Sequence, residues 1–561
     1  MAAVFFLAAA LVVARLFCLQ VLAREYYSTL ALSTHEIYQK LHPERGQIFF
    51  QDSRDGSAQA VAVNRRYYQI FAVPLEIKKE AVGPTSDRLA KLLDWPPEKT
   101  AEARQKLSKS DDPYESLDKK ISEEKLKEIE QAGLVGIYGA PEVYRYYPEE
   151  NWSEPAVGFC AFDDERNLSG RYGIEGYWDE VLAGQSGFLL GERAANRGWI
   201  SLAGMTSVEA TDGSDIYLTI DRALQYQACS RLRRGMEEYG ARSASLVMMD
   251  PKTGAVLAMC SEPGYDPNNY SQAADVSVFN NNAIFTPYEP GSVFKPMVMA
   301  AALDLGLVTP ATTFQDPGER KFGPYIIHNA MNKSYGTASM TEVLQNSINT
   351  GMIWVEEKMP REKIKEYLEK FGFGQKSGIP MDSEAAGNIS SLDKKGDIYA
   401  AQASFGQGLT VTPLQLAVAY STIANQGQAP TPYLVKEIDH PDGRREKFEP
   451  KIFSQVISPR AAKLLTGMLT SVVEKTYAAS VRLPNYYLAG KTGTAQIPGP
   501  GGYREETNHT FAGFGPVADP RFVVVVRFEA PQRQWAEATS AAVFKDLAKF
   551  ALDYYGIKGD K

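Results

Sequence analysis

The stretch EPGSVFKPMVMAAALDLG, residues 289–306, contains Ser292 and Lys295 in a segment that is otherwise almost entirely small or apolar. Lysine is rarely buried without a partner, so an ordinary core helix would not contain one. Residues three apart lie on one face of a helix and within reach of each other. The pattern therefore predicts a serine nucleophile beside a lysine base.

The Ser-x-x-Lys spacing alone is weak, because it occurs four times in the chain. Ser116/Lys119 and Ser122/Lys125 stand in a run of charged residues typical of a solvated helix, and Ser391/Lys394 stands in the polar segment SSLDKKGD. Only Ser292 follows a glycine and opens an apolar helix, where backbone N–H groups and the helix dipole favour a nucleophile.

Two further motifs follow in the chain. A general base must be neutral, so the pKa of Lys295 must fall far below the ordinary value of about 10.4, which calls for burial and a second cation. Lys491 of YYLAGKTGTAQI can supply it, whereas the other Lys-Thr-Gly, Lys252–Gly254, is explained by turn chemistry in DPKTG. Ser347-Ile348-Asn349 would be an ordinary turn or cap in isolation.

The amino-acid composition limits the classes of function that the chain can have. The 561 residues are 44% apolar and 23% charged, which indicates two or three globular domains. The formal net charge of -8, with no basic cluster, excludes a general nucleic-acid binder. The histidines are scattered and the cysteines form no C-x-x-C pair, so we expect no metal, no cofactor and no required disulfide; the cysteines are Cys18, Cys160, Cys229 and Cys260.

Organisation along the chain predicts an anchor and two domains. Residues 1–23 are apolar apart from Arg15 and Gln20 and predict an uncleaved transmembrane helix rather than a signal peptide. Residues 24–205 mix short strand-like runs such as YYQIFAVPLEI, Tyr67–Ile77, with a charged helix and turns, and contain no catalytic constellation. Residues 206–561 contain five strand candidates flanked by helices, which predicts an α+β sandwich. The loop 496–509 between the Lys-Thr-Gly strand and the next strand is expected to form a mobile hairpin tip bordering the cleft.

The order Ser-x-x-Lys, Ser-x-Asn, Lys-Thr-Gly is typical of penicillin-binding proteins and serine β-lactamases. The chain resembles a class B penicillin-binding protein, a membrane-anchored peptidoglycan D,D-transpeptidase. The resemblance extends over nearly the whole length, through RLFCLQV, ERGQIFFQDSRDG, RYYP, GRYGIEG, LTIDRALQ, MMDPKTGAVLAM, GYDPNN, FGQGLTVTPLQLA and IANQG. It implies a five-stranded antiparallel sheet flanked by helices on an N-terminal pedestal. The departures, NNNA for Asn-Arg-Ala and DSRDG for Asp-Arg-Asn-Gly, concern the pedestal more than the chemistry.

The resemblance also implies the roles of the motif residues. Ser292 would attack the penultimate D-Ala of a stem peptide and Lys295 would take its proton. Ser347 would relay a proton to the leaving D-Ala, and Asn349 would hold the substrate amide and the lysine. Lys491 would lower neighbouring pKa values and attract the terminal carboxylate.

The strand after Lys491 would complete the site. Thr492 and Thr494 would bind the carboxylate, Gly493 would let the substrate backbone approach the strand edge, and the N–H groups of Ser292 and Thr494 would form the oxyanion hole.

Other functions share these motifs. A β-lactamase or D,D-carboxypeptidase would use the same serine but resolve the acyl-enzyme with water; a β-lactam sensor or a non-catalytic scaffold are further alternatives. The anchor and the long pedestal favour the transpeptidase. The resemblance implies a single-pass protein of the cell membrane with an extracytoplasmic catalytic domain, inhibited by β-lactams and paired with a glycosyltransferase of the SEDS family.

Overall fold

The computed structural model describes residues 36–149, 151–163, 167–192 and 206–561. Within these ranges no helix combines the length and the apolar character that a membrane crossing requires. The anchor predicted at residues 1–23 lies outside the described residues.

The chain divides into two compact units. The smaller unit takes its described residues from the ranges 1–46, 180–214 and 440–444. It contains a three-stranded antiparallel sheet in which Gly187–Glu192 lies between Glu36–Leu41 and Thr206–Val208.

The larger unit contains a seven-stranded sheet that begins in the N-terminal region. Ile216 pairs with Ile48 in parallel, so this sheet joins strands from both sides of the boundary predicted after residue 205. Its strands are Ile48–Gln51, Ala58–Ala72, Glu115–Ile121, Ile137–Tyr146, Asp215–Asp221, Val435–Asp439 and Arg445–Lys447.

Amphipathic helices cover part of this sheet with a separate apolar core. Leu89, Leu107 and Ile129 pack with Ile70 of the sheet, and all four side chains are buried. Burying a side chain of this size contributes about 1.5–3 kcal/mol. The helices of this core are Val82–Leu92, Pro97–Leu107 and Glu123–Gln131. The larger unit also contains the helices Glu154–Val157 and Gly173–Tyr177 and a short hairpin that pairs Phe159–Phe162 with Leu168–Arg171, whereas the helix Asp179–Ala183 belongs to the smaller unit from Glu180 onward.

The second sheet of the larger unit has five strands. They are β1 (Ser243–Met249), β2 (Val256–Glu262), β3 (Ala489–Gly499), β4 (Gly502–Gly515) and β5 (Phe522–Glu529). The spatial order is β2-β1-β5-β4-β3, with every neighbouring pair antiparallel. The five strands expected from the sequence are confirmed, and the Lys-Thr-Gly strand β3 lies at a sheet edge.

Helices cover the five-stranded sheet. Leu232 of α1 (Arg222–Tyr239) and Phe544 of a C-terminal helix (Ser540–Tyr554) pack against β4 and β5 in one buried cluster. The helix α2 (Lys295–Asp304) is buried on nearly every side, which explains its lack of an apolar stripe. The other helices are Met340–Gln345, Asn349–Glu356, Arg361–Lys370, Asp397–Ser404, Pro413–Ala424 and Pro459–Lys475.

Three two-stranded antiparallel sheets complete this region. They pair Thr313–Asp316 with Gly336–Ser339, Glu319–Phe322 with Tyr325–His328, and Gln428–Pro430 with Ile452–Gln455.

Two expectations from the sequence are corrected. Cys229 of α1 and Cys260 of β2 form a disulfide with Cα atoms 5.3 Å apart, whereas the cysteine spacing suggested no disulfide framework. Motif spacing could not reveal it, because the packing of a helix on a sheet brings together cysteines 31 residues apart. The expected loop at 496–509 is mostly strand, since pairing of β3 with β4 continues to Gly499 and Gly502.

Candidate active site

Ser292 lies in a 3-10 turn, Gly291–Phe294, that runs directly into α2. The sequence placed Ser292 and Lys295 on one α-helix, whereas the structure puts the serine in the tighter turn and begins the α-helix at the lysine. A backbone hydrogen bond fixes this turn: the Gly291 N–H donates to the Gly406 carbonyl at 3.0 Å. A Cβ on Gly406 would lie 2.1 Å from the Gly291 oxygen, so only glycine fits there.

Lys295 is fully buried beneath this turn. Its Nζ donates to the carbonyl oxygen of Ser347 (2.6 Å), to Ser347 Oγ (3.1 Å) and to Asn349 Oδ1 (2.8 Å). Burial lowers the pKa of Lys295 well below its usual range, and the charge of Lys491 lowers it further. Among the described residues no hydrogen bond joins Lys295 to Ser292.

The protonation state of Lys295 decides what its amine can do. An ammonium has three donors and no acceptor, and all three are engaged here. The neutral amine, which burial favours, gives up one of these bonds and gains a lone pair. The arrangement can therefore accept a proton in a site that holds the lysine side chain in place.

Ser347 and Asn349 lie between two helices, Met340–Gln345 and Asn349–Glu356. Ser347 has a φ of 55°, in the left-handed region, which costs a non-glycine residue about 1–3 kcal/mol. Asn349 Nδ2 donates to the carbonyl of His328 at 2.9 Å, which leaves Oδ1 facing Lys295. This strained turn therefore directs both side chains toward the lysine.

The edge strand β3 supplies the remaining predicted residues. Lys491 is fully buried, and its Nζ donates to the Thr492 carbonyl at 3.0 Å. A Cβ on Gly493 would lie 2.8 Å from the carbonyl oxygen of Pro290, so the absent side chain lets β3 approach the Ser292 turn. Thr494 Oγ1 accepts a hydrogen bond from the Ala536 N–H at 3.3 Å.

A cavity of about 580 Å³ is lined by five of the predicted residues, but not by Gly493. Ser292, Ser347, Asn349, Thr492 and Thr494 line it. Lys295 and Lys491 do not line it, because both are buried behind it. A volume of this size is typical of sites for small molecules or short peptides.

Sequence reasoning missed several residues that line this cavity. Met331, with a side chain 65% exposed, and Trp535, 38% exposed, are large apolar groups in polar segments, HNAMNKSY and QRQWAEA. A large apolar residue in a polar loop is the signal that would have found them. Phe405 and Gln407 belong to the block FGQGLTVTPLQLA, in which no individual residue had been assigned a role.

The other motif copies lie away from this cavity. Lys252 is exposed in the turn between β1 and β2 and forms an ion pair with Asp519. Ser122 caps the helix Glu123–Gln131 by accepting from the Lys125 N–H. Ser116 and Lys119 lie in the strand Glu115–Ile121 and not in the helix expected from their charged surroundings, and Ser116 Oγ accepts from Gln69 Nε2. None of these residues, nor Ser391, lines the cavity.

The hairpin of β3 and β4 is tied to the nucleophile segment. Tyr503 Oη donates to Glu289 Oε2 at 3.0 Å, and Oε1 of the same glutamate accepts from the Gly408 N–H at 3.1 Å. Burial raises the pKa of Glu289 from its ordinary value. The hairpin tip is thus bonded to a residue three positions before Ser292.

Comparison with known proteins adds the family context. Residues 40–218 match the penicillin-binding protein dimerisation domain and residues 244–549 match the penicillin binding protein transpeptidase domain. The chain is similar to stage V sporulation protein D of Bacillus subtilis (strain 168), with 32% identity over 98% of this chain and 84% of that protein. It is also similar to the peptidoglycan D,D-transpeptidase FtsI of Escherichia coli (strain K12), with 29% identity over 93% of this chain and 85% of that protein.

A solved structure shares the fold. The crystal structure of penicillin binding protein 2X from Streptococcus thermophilus superposes with a TM-score of 0.76 at 23% identity, covering 92% of this chain and 80% of that one.

Proposed function

The chain belongs to the penicillin-binding protein family, with a dimerisation domain followed by a transpeptidase domain, and on that premise we propose that it cross-links peptidoglycan stem peptides through an acyl-enzyme on Ser292. One observation carries the proposal. A fully buried lysine with a lowered pKa contacts Ser347 and Asn349 at the base of the cavity that exposes Ser292. Burial of this kind produces a general base at neutral pH.

The first half-reaction is acylation. Ser292 Oγ attacks the carbonyl carbon of the penultimate D-Ala while its proton passes to the neutral Lys295 Nζ. The peptide bond breaks, and the leaving amine takes a proton that Lys295 delivers through Ser347 Oγ, 3.1 Å away. The products are an ester on Ser292, free D-Ala and a neutral lysine again. Catalytic hydrogen bonds often tighten only when substrate binds, so the missing Ser292–Lys295 bond does not exclude this step.

The second half-reaction forms the cross-link. The amine of a second stem peptide attacks the ester carbonyl, its proton passes to Lys295, and Ser292 Oγ leaves as the alcohol with that proton. The N–H groups of Ser292 and Thr494 would stabilise the oxyanion of both tetrahedral intermediates, an interaction worth about 3–4 kcal/mol for each donor.

The edge strand β3 provides the specificity for a terminal carboxylate. Thr492 and Thr494 line the cavity and Lys491 lies behind them, so a C-terminal carboxylate would meet hydroxyl donors backed by a positive charge. The substrate backbone would pair with β3 along its free edge. A β-lactam presents the same carboxylate and reacting carbonyl, which accounts for inhibition by this class of drug.

Product analysis tests the function directly. The purified protein is incubated with a synthetic stem pentapeptide ending in D-Ala-D-Ala, with and without an acceptor amine, and products are separated by mass. We expect release of D-Ala and transfer of the acyl group to the amine, both lost in Ser292→Ala. Hydrolysis alone, unaffected by the acceptor, would favour a D,D-carboxypeptidase; rapid turnover of penicillin would favour a β-lactamase.

The domain division and the location are proposed on the same basis. We infer that residues 1–23 form a single-pass anchor in the cell membrane, that residues 24–205 form the pedestal, and that residues 206–561 form an extracytoplasmic transpeptidase domain. The apolar sequence of 1–23 and the order of the two matched domains support this. Protease added to intact protoplasts should degrade the catalytic domain; full protection would contradict the location.

A polymerising partner is the last part of the proposal. Both matched domains are accounted for without a glycosyltransferase, so we infer that glycan strands come from a multispanning SEDS-type enzyme bound through the anchor and the pedestal. Co-purification from detergent tests this. Failure with every SEDS protein of the host, or polymerisation of lipid-linked precursor by this protein alone, would contradict it.

A further inference from the structure

The cavity at Ser292 carries two charged side chains in its wall, Glu537 and Lys333. Glu537 lies in the 3-10 turn Ala536–Ala538, and Lys333 follows the 3-10 turn Ala330–Asn332. Within the described part of the chain, neither side chain has a hydrogen-bonding or ion-pair partner, and the two do not pair with each other. Two opposite charges that share a cavity and remain unpaired are available to a ligand.

The backbone at Glu537 is fixed relative to the substrate-binding strand. The preceding residue, Ala536, is fully buried and its N–H donates to Thr494 Oγ1 at 3.3 Å. Its carbonyl accepts from Ser540 Oγ at 3.3 Å, which holds the same residue from the other side. Glu537 is therefore not on a free loop, because its main chain is anchored to the residue that would bind the donor carboxylate.

An aromatic side chain lies in the same cavity wall as Glu537. Trp535 also lines the cavity and remains 38% exposed. An ionic group beside an apolar ring is less screened than one in open solvent, so a cation bound there interacts more strongly. An aromatic face also attracts cations in its own right.

A stem peptide offers one cation at the right position. With its terminal carboxylate at Thr492 and Thr494, the third residue from that end lies within about 7 Å along an extended chain. This residue is a diamino acid whose side-chain amine is positive at neutral pH. Resting on the transpeptidase function proposed above, we propose that Glu537 binds this ammonium and makes the site selective for donor stem peptides whose side-chain amine is free.

Two penicillins give a sharp test, because ampicillin differs from benzylpenicillin by one amino group on the side chain. Acylation rate constants for both drugs are measured at about pH 6, where an α-amino group is protonated. Glu537→Gln should lower the ampicillin-to-benzylpenicillin ratio about two- to fivefold, the range of a partly exposed ion pair.

Glu505→Gln is the matched control. Glu505 is another glutamate without a partner among the described residues, and it lines a neighbouring groove rather than the Ser292 cavity. Its substitution removes the same charge and should leave the ratio of the two drugs unaltered. An equal change of the ampicillin-to-benzylpenicillin ratio in both variants would mean that only the overall charge of the protein matters, and it would overturn the proposal.

Stem peptides provide the second readout. Donors with a free and with an acetylated side-chain amine are compared by D-Ala release; the wild type should prefer the free amine, and Glu537→Gln should remove that preference. No preference in the wild type, or a preference that survives in the variant, would refute the role of Glu537. If neither drug acylates the wild type, the transpeptidase function itself fails, which distinguishes the two proposals.

Discussion

The two Lys-Thr-Gly copies have the same three residues and opposite environments. Lys252 is exposed, paired with Asp519 in the turn between β1 and β2. Lys491 is fully buried behind the cavity, and its charge helps to lower the pKa of Lys295. The same tripeptide therefore has a different environment at each position, and its position in the fold determines whether its lysine can act on Lys295.

The two glycines extend this comparison. Gly254 has a φ of 82°, and a Cβ there would lie 2.3 Å from the carbonyl of Thr431, so it serves a turn. Gly493 has no such backbone requirement but leaves room for the Ser292 turn, with Pro290 oxygen 2.8 Å from a Cβ. Gly254 meets the needs of a turn, and Gly493 allows β3 to lie close to the Ser292 turn.

The largest predicted difference between paired variants concerns the lysine of the Ser292 motif. Lys295→Met should slow acylation by benzylpenicillin about 10²- to 10⁴-fold, because the general base is lost while the apolar stem is kept. Lys252→Met should leave the rate unaltered. Stopped-flow acylation measures both, and a similar rate in the two variants would remove the distinction.

Lys491→Met should weaken acylation about 10- to 100-fold, the effect of a lost charged hydrogen bond of about 1.5–3 kcal/mol. It should also move the pH profile. In the proposed mechanism the neutral form of Lys295 is the base, so acylation should fall as pH falls through its lowered pKa. Removing the Lys491 charge raises that pKa, and the acidic limb should shift to higher pH; a shift to lower pH would contradict the coupling.

The glycines should separate stability from rate. Gly254→Ala should lower the free energy of unfolding by about 1–3 kcal/mol through strain at positive φ, with acylation per folded molecule preserved. Gly493→Ala should instead reduce the acylation rate by displacing β3. Thermal unfolding measures the stability of both variants, and active-site titration measures their acylation rates per folded molecule. A rate loss in Gly254→Ala together with a stability loss alone in Gly493→Ala would contradict the comparison.

The smallest effect is expected at the hairpin tip. We predict that the tip controls entry of the second stem peptide, so deletion within Pro498–Gly502 should alter cross-linking a few-fold, on the order of one lost hydrogen bond, and change penicillin acylation less. Parallel assays of transfer and acylation check this. Equal losses in both would assign the hairpin a structural role alone.

Sequence patterns predicted the five-stranded sheet because its strands are apolar runs bounded by turns, as in RFVVVVRFEA. The family resemblance that the motif order carries implied that Asn349 holds Lys295 and that Ser347 relays its proton, and the structure shows both side chains in contact with the lysine. They did not predict the Cys229–Cys260 disulfide, because tertiary packing determines that pair. Glu537 was missed for a similar reason: a glutamate in a polar segment is not distinctive in the sequence, and only the folded structure shows that it lines the cavity.

The strand predicted at Tyr67–Ile77 extends past the end of the strand in the structure. The structure ends this strand at Ala72, and a 3-10 turn follows at Pro74–Glu76. Proline lacks a backbone N–H and cannot continue the ladder, so the apolar run overestimates the strand.

Mapping the acylated residue tests the central claim most directly. The intact protein is treated with benzylpenicillin, and the adduct is located by peptide mass spectrometry. The account predicts one long-lived adduct per chain, on Ser292, absent in Ser292→Ala and retained in Ser116→Ala, Ser122→Ala and Ser391→Ala. An adduct on any other serine, or labelling that persists in Ser292→Ala, would contradict it.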